Sequence, residues 1–102
     1  MINVVLFCST GLSTKLLIRK MEMAAEEKDL EMNIRSYPEV QMALYIRDAD
    51  VVLIGPQIKY ALREIQEECK KYNIPLEVIS PTDYGLLDGT KVLNQALRLY
   101  NK

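Results

Sequence analysis

Apolar and polar positions change period several times along this chain, and each change marks an element. Residues Ile2-Asn3-Val4-Val5-Leu6-Phe7 form a nearly continuous apolar run, as do Val51-Val52-Leu53-Ile54. Such runs suit strands covered on both faces, as in a parallel sheet. Met32 to Tyr37 alternates instead, with Met32, Ile34 and Ser36 on one side and Asn33, Arg35 and Tyr37 on the other. Leu76-Glu77-Val78-Ile79 is interrupted by a charge, so both segments read as edge strands. Between the strands the apolar period is close to 3.6 residues. The first helix places Leu12, Leu16, Leu17, Met21, Ala24 and Ala25 on one stripe, and the last does so with Val92, Leu93, Ala96, Leu97 and Tyr100. A shorter second helix over about 39–47 lies between Pro38 and Asp48-Ala49-Asp50. The third runs from about Lys59 to Tyr72, with Ala61, Leu62, Ile65, Cys69 and Tyr72 facing inward.

Two central and two edge strands joined by right-handed crossovers predict a parallel sheet of order 2-1-3-4, with helices on both faces in a three-layer α/β/α fold. Strands 1 and 3 are then neighbours and the chain reverses direction between them, so the switch-point crevice opens beside Cys8, at the end of strand 1. Four helices alternating with four strands leave four loops on the C-terminal rim. These are Cys8 to Thr14, Tyr37-Pro38, Gly55-Pro56-Gln57 and Ser80-Pro81-Thr82-Asp83-Tyr84-Gly85. The second and third read as turns made by Gly and Pro.

Composition narrows the functional classes. The 102 residues make one domain, 1–102, and fractions of 49% apolar and 26% charged are those of a globular protein. With 13 basic and 14 acidic residues the net charge is −1, so no bulk field draws the chain to nucleic acid or to an anionic membrane. The N-terminal apolar run is short, has no basic segment before it and ends in a polar loop. It is read as neither signal peptide nor membrane span, which predicts a cytoplasmic protein without direct membrane insertion. Two cysteines in a reducing compartment are expected as free thiols. There is no histidine, so the commonest general base and metal ligand is missing. Cys8 and Cys69 alone supply two of the four ligands a zinc site needs, and no metal or cofactor is expected.

The first rim loop carries the chemistry. Small side chains at Ser9, Thr10, Gly11, Ser13 and Thr14 let backbone N–H groups converge on one point, and the next helix adds its positive end. Hydroxyls supply further donors. A phosphoryl group of roughly −1.5 to −2 charges fits such a ring without a metal. In this setting Gly11 is expected to adopt positive φ or to approach the ligand closely. The helix N-terminus is expected to lower the Cys8 pKa and so activate it as a nucleophile. Cys69, on the inward stripe of the third helix, reads as core packing.

What the loop lacks excludes familiar alternatives. It has one glycine and no Gly-Lys pair, so it is not a P-loop NTPase. Gly11 stands where a thioredoxin-like site has its second cysteine. Cysteine-dependent phosphatases have the most similar loop, but they place an arginine six positions after the cysteine, where this chain has Thr14. Without that guanidinium the transition state of phosphoester hydrolysis loses its bidentate clamp. A low-molecular-weight phosphatase-like enzyme and a thiol redox or regulatory module stand as the alternatives to a phosphoryl carrier.

Ile2 to Phe7 followed by Cys8-Ser9-Thr10-Gly11-Leu12-Ser13-Thr14, then Leu16-Leu17 and Lys20-Met21, Asp50-Val51-Val52-Leu53-Ile54-Gly55-Pro56-Gln57, and Asp83-Tyr84-Gly85 occur in that order. Together they resemble the enzyme IIB component of the bacterial phosphoenolpyruvate-dependent sugar phosphotransferase system, in the branch that handles lactose, cellobiose and N,N'-diacetylchitobiose. The resemblance spans essentially the whole chain. It implies a phosphotransferase in which Cys8 accepts a phosphoryl group from a phosphohistidine of a IIA protein and passes it to a sugar bound by the membrane transporter IIC. Backbone N–H groups from Ser9, Thr10, Gly11, Leu12, Ser13 and Thr14 then bind the phosphoryl oxygens, and the missing histidine belongs to the donor. Asp83 and Tyr84 have two readings: they line this site, or they form a turn and pack. Lys15, where relatives often carry a small residue, is either a solvated charge or an attraction for the phosphorylated partner. Leu12 and Ile58 are expected as exposed docking surface near Cys8.

Overall fold

The computed structural model describes residues 1–8 and 11–102. In chain order it contains β1 (Ile2–Phe7), α1 (Leu12–Glu27), β2 (Met32–Tyr37), α2 (Met42–Tyr45), β3 (Val51–Ile54), α3 (Leu62–Lys71), β4 (Leu76–Val78), α4 (Pro81–Gly85) and α5 (Gly89–Tyr100). The four described strands form one parallel sheet in the order β2-β1-β3-β4, as the pattern predicts.

The continuous apolar runs of β1 and β3 are explained by a core on each face of the sheet. Side chains alternate across a strand. Val4 and Leu6 of β1 join Val51 and Leu53 of β3 beneath α1 and α5, whereas Val5 and Phe7 join Val52 and Ile54 beneath α2 and α3. Cys8 continues the phase of Val4 and Leu6 and is buried in the α1–α5 layer. That phase decides which elements its thiol meets.

Three helical boundaries differ from the sequence expectation. The second helix is a 3-10 turn (Glu39–Gln41) running into the single α-turn of α2. The third opens as a 3-10 segment (Pro56–Ala61), in which Ile58 leaves helical geometry at φ −112°, and becomes α-helical at Leu62. A proline at its first position, with φ fixed and no N–H to donate, suits this tight start. Within the fourth rim loop, residues 81–85 form the extra helix α4. Ser80 caps it by accepting from the Asp83 N–H at 3.0 Å, and Pro81 occupies its first position. Five residues are too few for a 3.6-residue period to show in sequence.

The buried stripe of α1 is Thr14, Leu17, Met21, Ala24 and Ala25. Leu12 and Leu16, expected on that stripe, are 72% and 44% exposed, and the polar Thr14 takes the inward position. On α5 the buried set is Gly89, Val92, Leu93, Ala96 and Leu99, while Tyr100 faces out. Gly89 allows α1 and α5 to touch, since a Cβ there would lie 2.5 Å from the Lys20 carbonyl carbon. The β4 edge is guarded from α5: Arg98 and Gln95 donate to Glu77 Oε1 at 2.8 and 2.6 Å. Among the described residues no helix is long and apolar enough to cross a membrane.

Candidate functional site

Cys8 follows the last residue of β1, and the backbone then reaches the start of α1 at Leu12. Among the described residues the helix begins without side-chain capping. Its N-cap residue is Gly11 and its first turn holds no acidic residue, whereas α4 and α5 are capped by the oxygens of Ser80 and Asp88. A helix start with neither capping oxygen nor acid leaves its positive end available to an external anion. Leu12 and Ser13 are exposed there; Ser9 and Thr10, the other expected phosphoryl-binding residues, lie outside the described residues.

Gly11 is extended, with φ 173°, and a Cβ on it would meet nothing within 4 Å. The expected positive φ is absent. A close approach within the protein occurs at Gly55, in a loop read as a plain turn. A Cβ there would lie 2.7 Å from Cys8 Cβ and 2.6 Å from Gln57 Oε1. The cause is register: Phe7 pairs with Ile54, so the next residues, Cys8 and Gly55, stand side by side. The Gly55 N–H donates to the Phe7 carbonyl at 2.8 Å and extends this pairing. The sequence held the signal, because a residue following the strand that neighbours β1 must fit beside the residue following β1.

Three side chains meet at the thiol. Cys8 Sγ donates to Thr14 Oγ1 at 3.4 Å, and Thr14 Oγ1 is 2.7 Å from the Tyr84 hydroxyl. All three residues are buried, at 1%, 2% and 7% exposure. Thr14 comes from the first turn of α1 and Tyr84 from α4, so the extra helix has a positional role: it delivers the phenol to the α1–α5 side of the sheet. Tyr84 thus packs into the Cys8–Thr14 cluster. Asp83 does not join this cluster. It sits in the first turn of α4 and borders an open groove with Glu77, Ser80, Lys91, Gln95 and Arg98 at the β4–α5 edge. Ile58, expected on the surface, is 2% exposed and belongs to the core.

The electrostatics run against the expected activation. Burial is the largest influence on Cys8 and pushes its thiol above the ordinary cysteine value; the Thr14 hydrogen bond pulls it back, and the Glu39 carboxylate pushes it up further. These surroundings favour the protonated thiol. Sequence reasoning places Cys8 at a polar rim, but its phase on β1 tucks it under α1, where desolvation outweighs the Thr14 hydrogen bond. Glu39, on the turn after β2, also escaped that reasoning. Its Oε1 accepts from the Tyr60 hydroxyl at 2.9 Å and so links the second and third rim loops. Cys69 is core, as expected, with burial raising its thiol to about 12.

Comparison with known proteins finds a family whose members match nearly the whole chain. The profile of the family described as "PTS system, Lactose/Cellobiose specific IIB subunit" matches residues 3–95. The chain is 41% identical over 97 residues to a Bacillus subtilis "PTS system oligo-beta-mannoside-specific EIIB component", covering 95% of this chain and 94% of that one. It is 36% identical over 103 residues to a Lactococcus lactis "PTS system galactose-specific EIIB component", covering 96% and 95%. The solution structure of a cellobiose-specific phosphotransferase IIB component from Borrelia burgdorferi superposes with a TM-score of 0.83 at 33% identity, covering 98% of this chain and 92% of that one.

Proposed function

Since this chain belongs to the lactose/cellobiose-specific IIB subunit family of the sugar phosphotransferase system, a family of phosphotransferases, we propose that Cys8 is its phosphoryl carrier. The observation that carries the reading is the pairing of a buried Cys8 thiol with the Thr14 hydroxyl in the first turn of α1. The donor is a phosphohistidine on a IIA partner. Sulfur attacks phosphorus, the S–P bond forms and the P–N bond breaks. The departing imidazole nitrogen takes up a proton, and the protonated Cys8 thiol supplies one. Burial that keeps the proton on sulfur until the donor arrives therefore fits a phosphohistidine donor, which an already ionised thiol does not require.

The phosphoryl oxygens are held by backbone N–H groups of Ser9, Thr10, Gly11, Leu12, Ser13 and Thr14, with the positive end of α1 behind them. In the second transfer a sugar hydroxyl bound by the membrane transporter IIC attacks phosphorus. The S–P bond breaks, the hydroxyl gives up its proton, and sulfur leaves as thiolate and is reprotonated. The Glu39 carboxylate, whose charge acts on Cys8, opposes accumulation of further negative charge there and so favours onward transfer over storage. Thr14 in the position of the phosphatase arginine supports carrying over hydrolysis.

The protein works in the cytoplasm between IIA and IIC, and its sugar belongs to the cellobiose, lactose or N,N'-diacetylchitobiose class. The test is discharge of the phosphorylated chain. It should persist alone, release little phosphate, and lose its label when vesicles carrying the cognate IIC and a sugar are added. Rapid release of inorganic phosphate without IIC, with steady turnover of an aryl phosphate abolished by Cys8→Ser, would establish a phosphatase instead.

A further inference from the structure

Thr14 is the buried polar residue among the described residues, and it lies between two groups that can each either donate to it or accept from it. A threonine hydroxyl has one proton and two acceptor positions. When Cys8 is a thiol, its S–H donates to Thr14 Oγ1. When sulfur is ionised it only accepts, so the Thr14 proton must turn toward it. The lone pairs of Thr14 Oγ1 are then best satisfied by a donor from the opposite side, where the Tyr84 hydroxyl stands at 2.7 Å. At that distance the phenol is a strong partner, shorter than the contact to sulfur at 3.4 Å.

We propose that Tyr84 is a positioning residue for Cys8: by donating to Thr14 Oγ1 it directs the Thr14 proton at sulfur and stabilises the sulfur-centred negative charge that forms during attack and departure. Tyr84 makes this effect through Thr14 and not by touching sulfur. No proton crosses the chain of hydroxyls; the two O–H groups reverse direction together, and the thiol proton goes to the donor's nitrogen or to solvent. The charged group acting on Cys8 from the elements around it is Glu39, which opposes the same ionisation. Lys15 is exposed and follows Thr14 on α1. The fold invests in this contact: α4 is a five-residue helix, started by Ser80 and Pro81, whose buried residue is Tyr84.

This inference rests on Cys8 being the nucleophile of the proposed transfer, yet it is testable without partners. Iodoacetamide alkylation of Cys8 is followed against pH, with the adduct assigned by peptide mass spectrometry to separate it from Cys69. Tyr84→Phe should move the alkylation midpoint upward and slow Cys8 alkylation at a fixed neutral pH by about three- to tenfold. Thr14→Ser should keep the wild-type profile and Thr14→Val should resemble Tyr84→Phe. Adding Tyr84→Phe to Thr14→Val should then change nothing further, because the path to sulfur is already cut. An unchanged midpoint in a folded Tyr84→Phe, or effects of the two substitutions that simply add, overturns the proposal. Phosphoryl labelling of wild type separates the two claims. Labelling with an unmoved Tyr84→Phe midpoint refutes the positioning role alone, and a moved midpoint without wild-type labelling refutes the carrier reading alone.

Discussion

Gly55→Ala should disable the site by crowding it, although Gly55 carries no chemistry. The added methyl would lie 2.7 Å from Cys8 Cβ and 3.4 Å from Cys8 Cα, where carbons in contact normally stand about 3.5–4.0 Å apart. Gln57 Oε1, at 2.6 Å, is the end of an exposed flexible side chain and can swing away. Cys8 cannot, because the Gly55 N–H is bonded to the Phe7 carbonyl at 2.8 Å and holds the strand ends together. Relief requires the two to separate by roughly 1 Å, at an overpacking cost of about 1–3 kcal/mol. The smaller unfolded-state entropy of alanine offsets about 0.4–1 kcal/mol of that. The net cost centres on about 1.3 kcal/mol, and at about 4–8 °C per kcal/mol for a chain of this size Tm falls by roughly 5–10 °C. A misplacement of about 1 Å at the nucleophile costs on the order of a hundredfold in rate. Phosphoryl acceptance by the Cys8 thiol should drop accordingly at a temperature where the variant remains folded by circular dichroism. Gly11→Ala is the control: with extended backbone and open space around it, it should change Tm by about a degree or less on the scale of harmless surface substitutions. Wild-type labelling and Tm in Gly55→Ala would refute the close-packing argument.

Other expectations follow from the charges and the core. Glu39→Gln should lower the pH midpoint of Cys8 alkylation and lengthen the lifetime of the phosphorylated form, since it removes a negative charge that acts on Cys8; a midpoint moved upward would contradict this. Cys69 keeps its proton in the fold up to about 12, while in the unfolded chain it ionises near 9. The unfolded state therefore binds fewer protons between those values, and stability in urea should decline as pH rises from 9 toward 12; Cys69→Ala should flatten that part of the profile. Arg98→Ala removes an ion pair with Glu77 that is open to solvent, so Tm should fall by only a few degrees in differential scanning calorimetry.

Strand content and sheet order were legible in the chain because a two-sided core writes itself as unbroken apolar runs in β1 and β3 and as interrupted ones at the edges. Cys8 stands out as the candidate site for a related reason: the order β2-β1-β3-β4 puts the switch point beside it. The α1 stripe differs from its apolar pattern because a buried threonine hydrogen-bonded to Cys8 and Tyr84 is invisible to residue-by-residue hydrophobicity. In the sequence Thr14 stands out as a loop hydroxyl in the position of the phosphatase arginine, while its contact with the Cys8 sulfur appears only in the fold. Gly55 and Glu39 were missed because their importance lies in register and in through-space charge, which depend on how strands far apart in sequence align. The activation expected at Cys8 failed for an energetic reason, with desolvation on the α1 face outweighing the hydrogen bond from Thr14.

The central claim is that Cys8 itself carries the phosphoryl group. Incubating the protein with phosphoenolpyruvate, the general components of the phosphotransferase system and the cognate IIA, then mapping the modified peptide by mass spectrometry under conditions that preserve phosphocysteine, tests it most directly. The account predicts one phosphoryl group on Cys8, dependent on IIA and absent from Cys8→Ser. An unmodified Cys8 in the wild-type protein with an active IIA, or a phosphoryl group on any other residue that persists in Cys8→Ser, would contradict it.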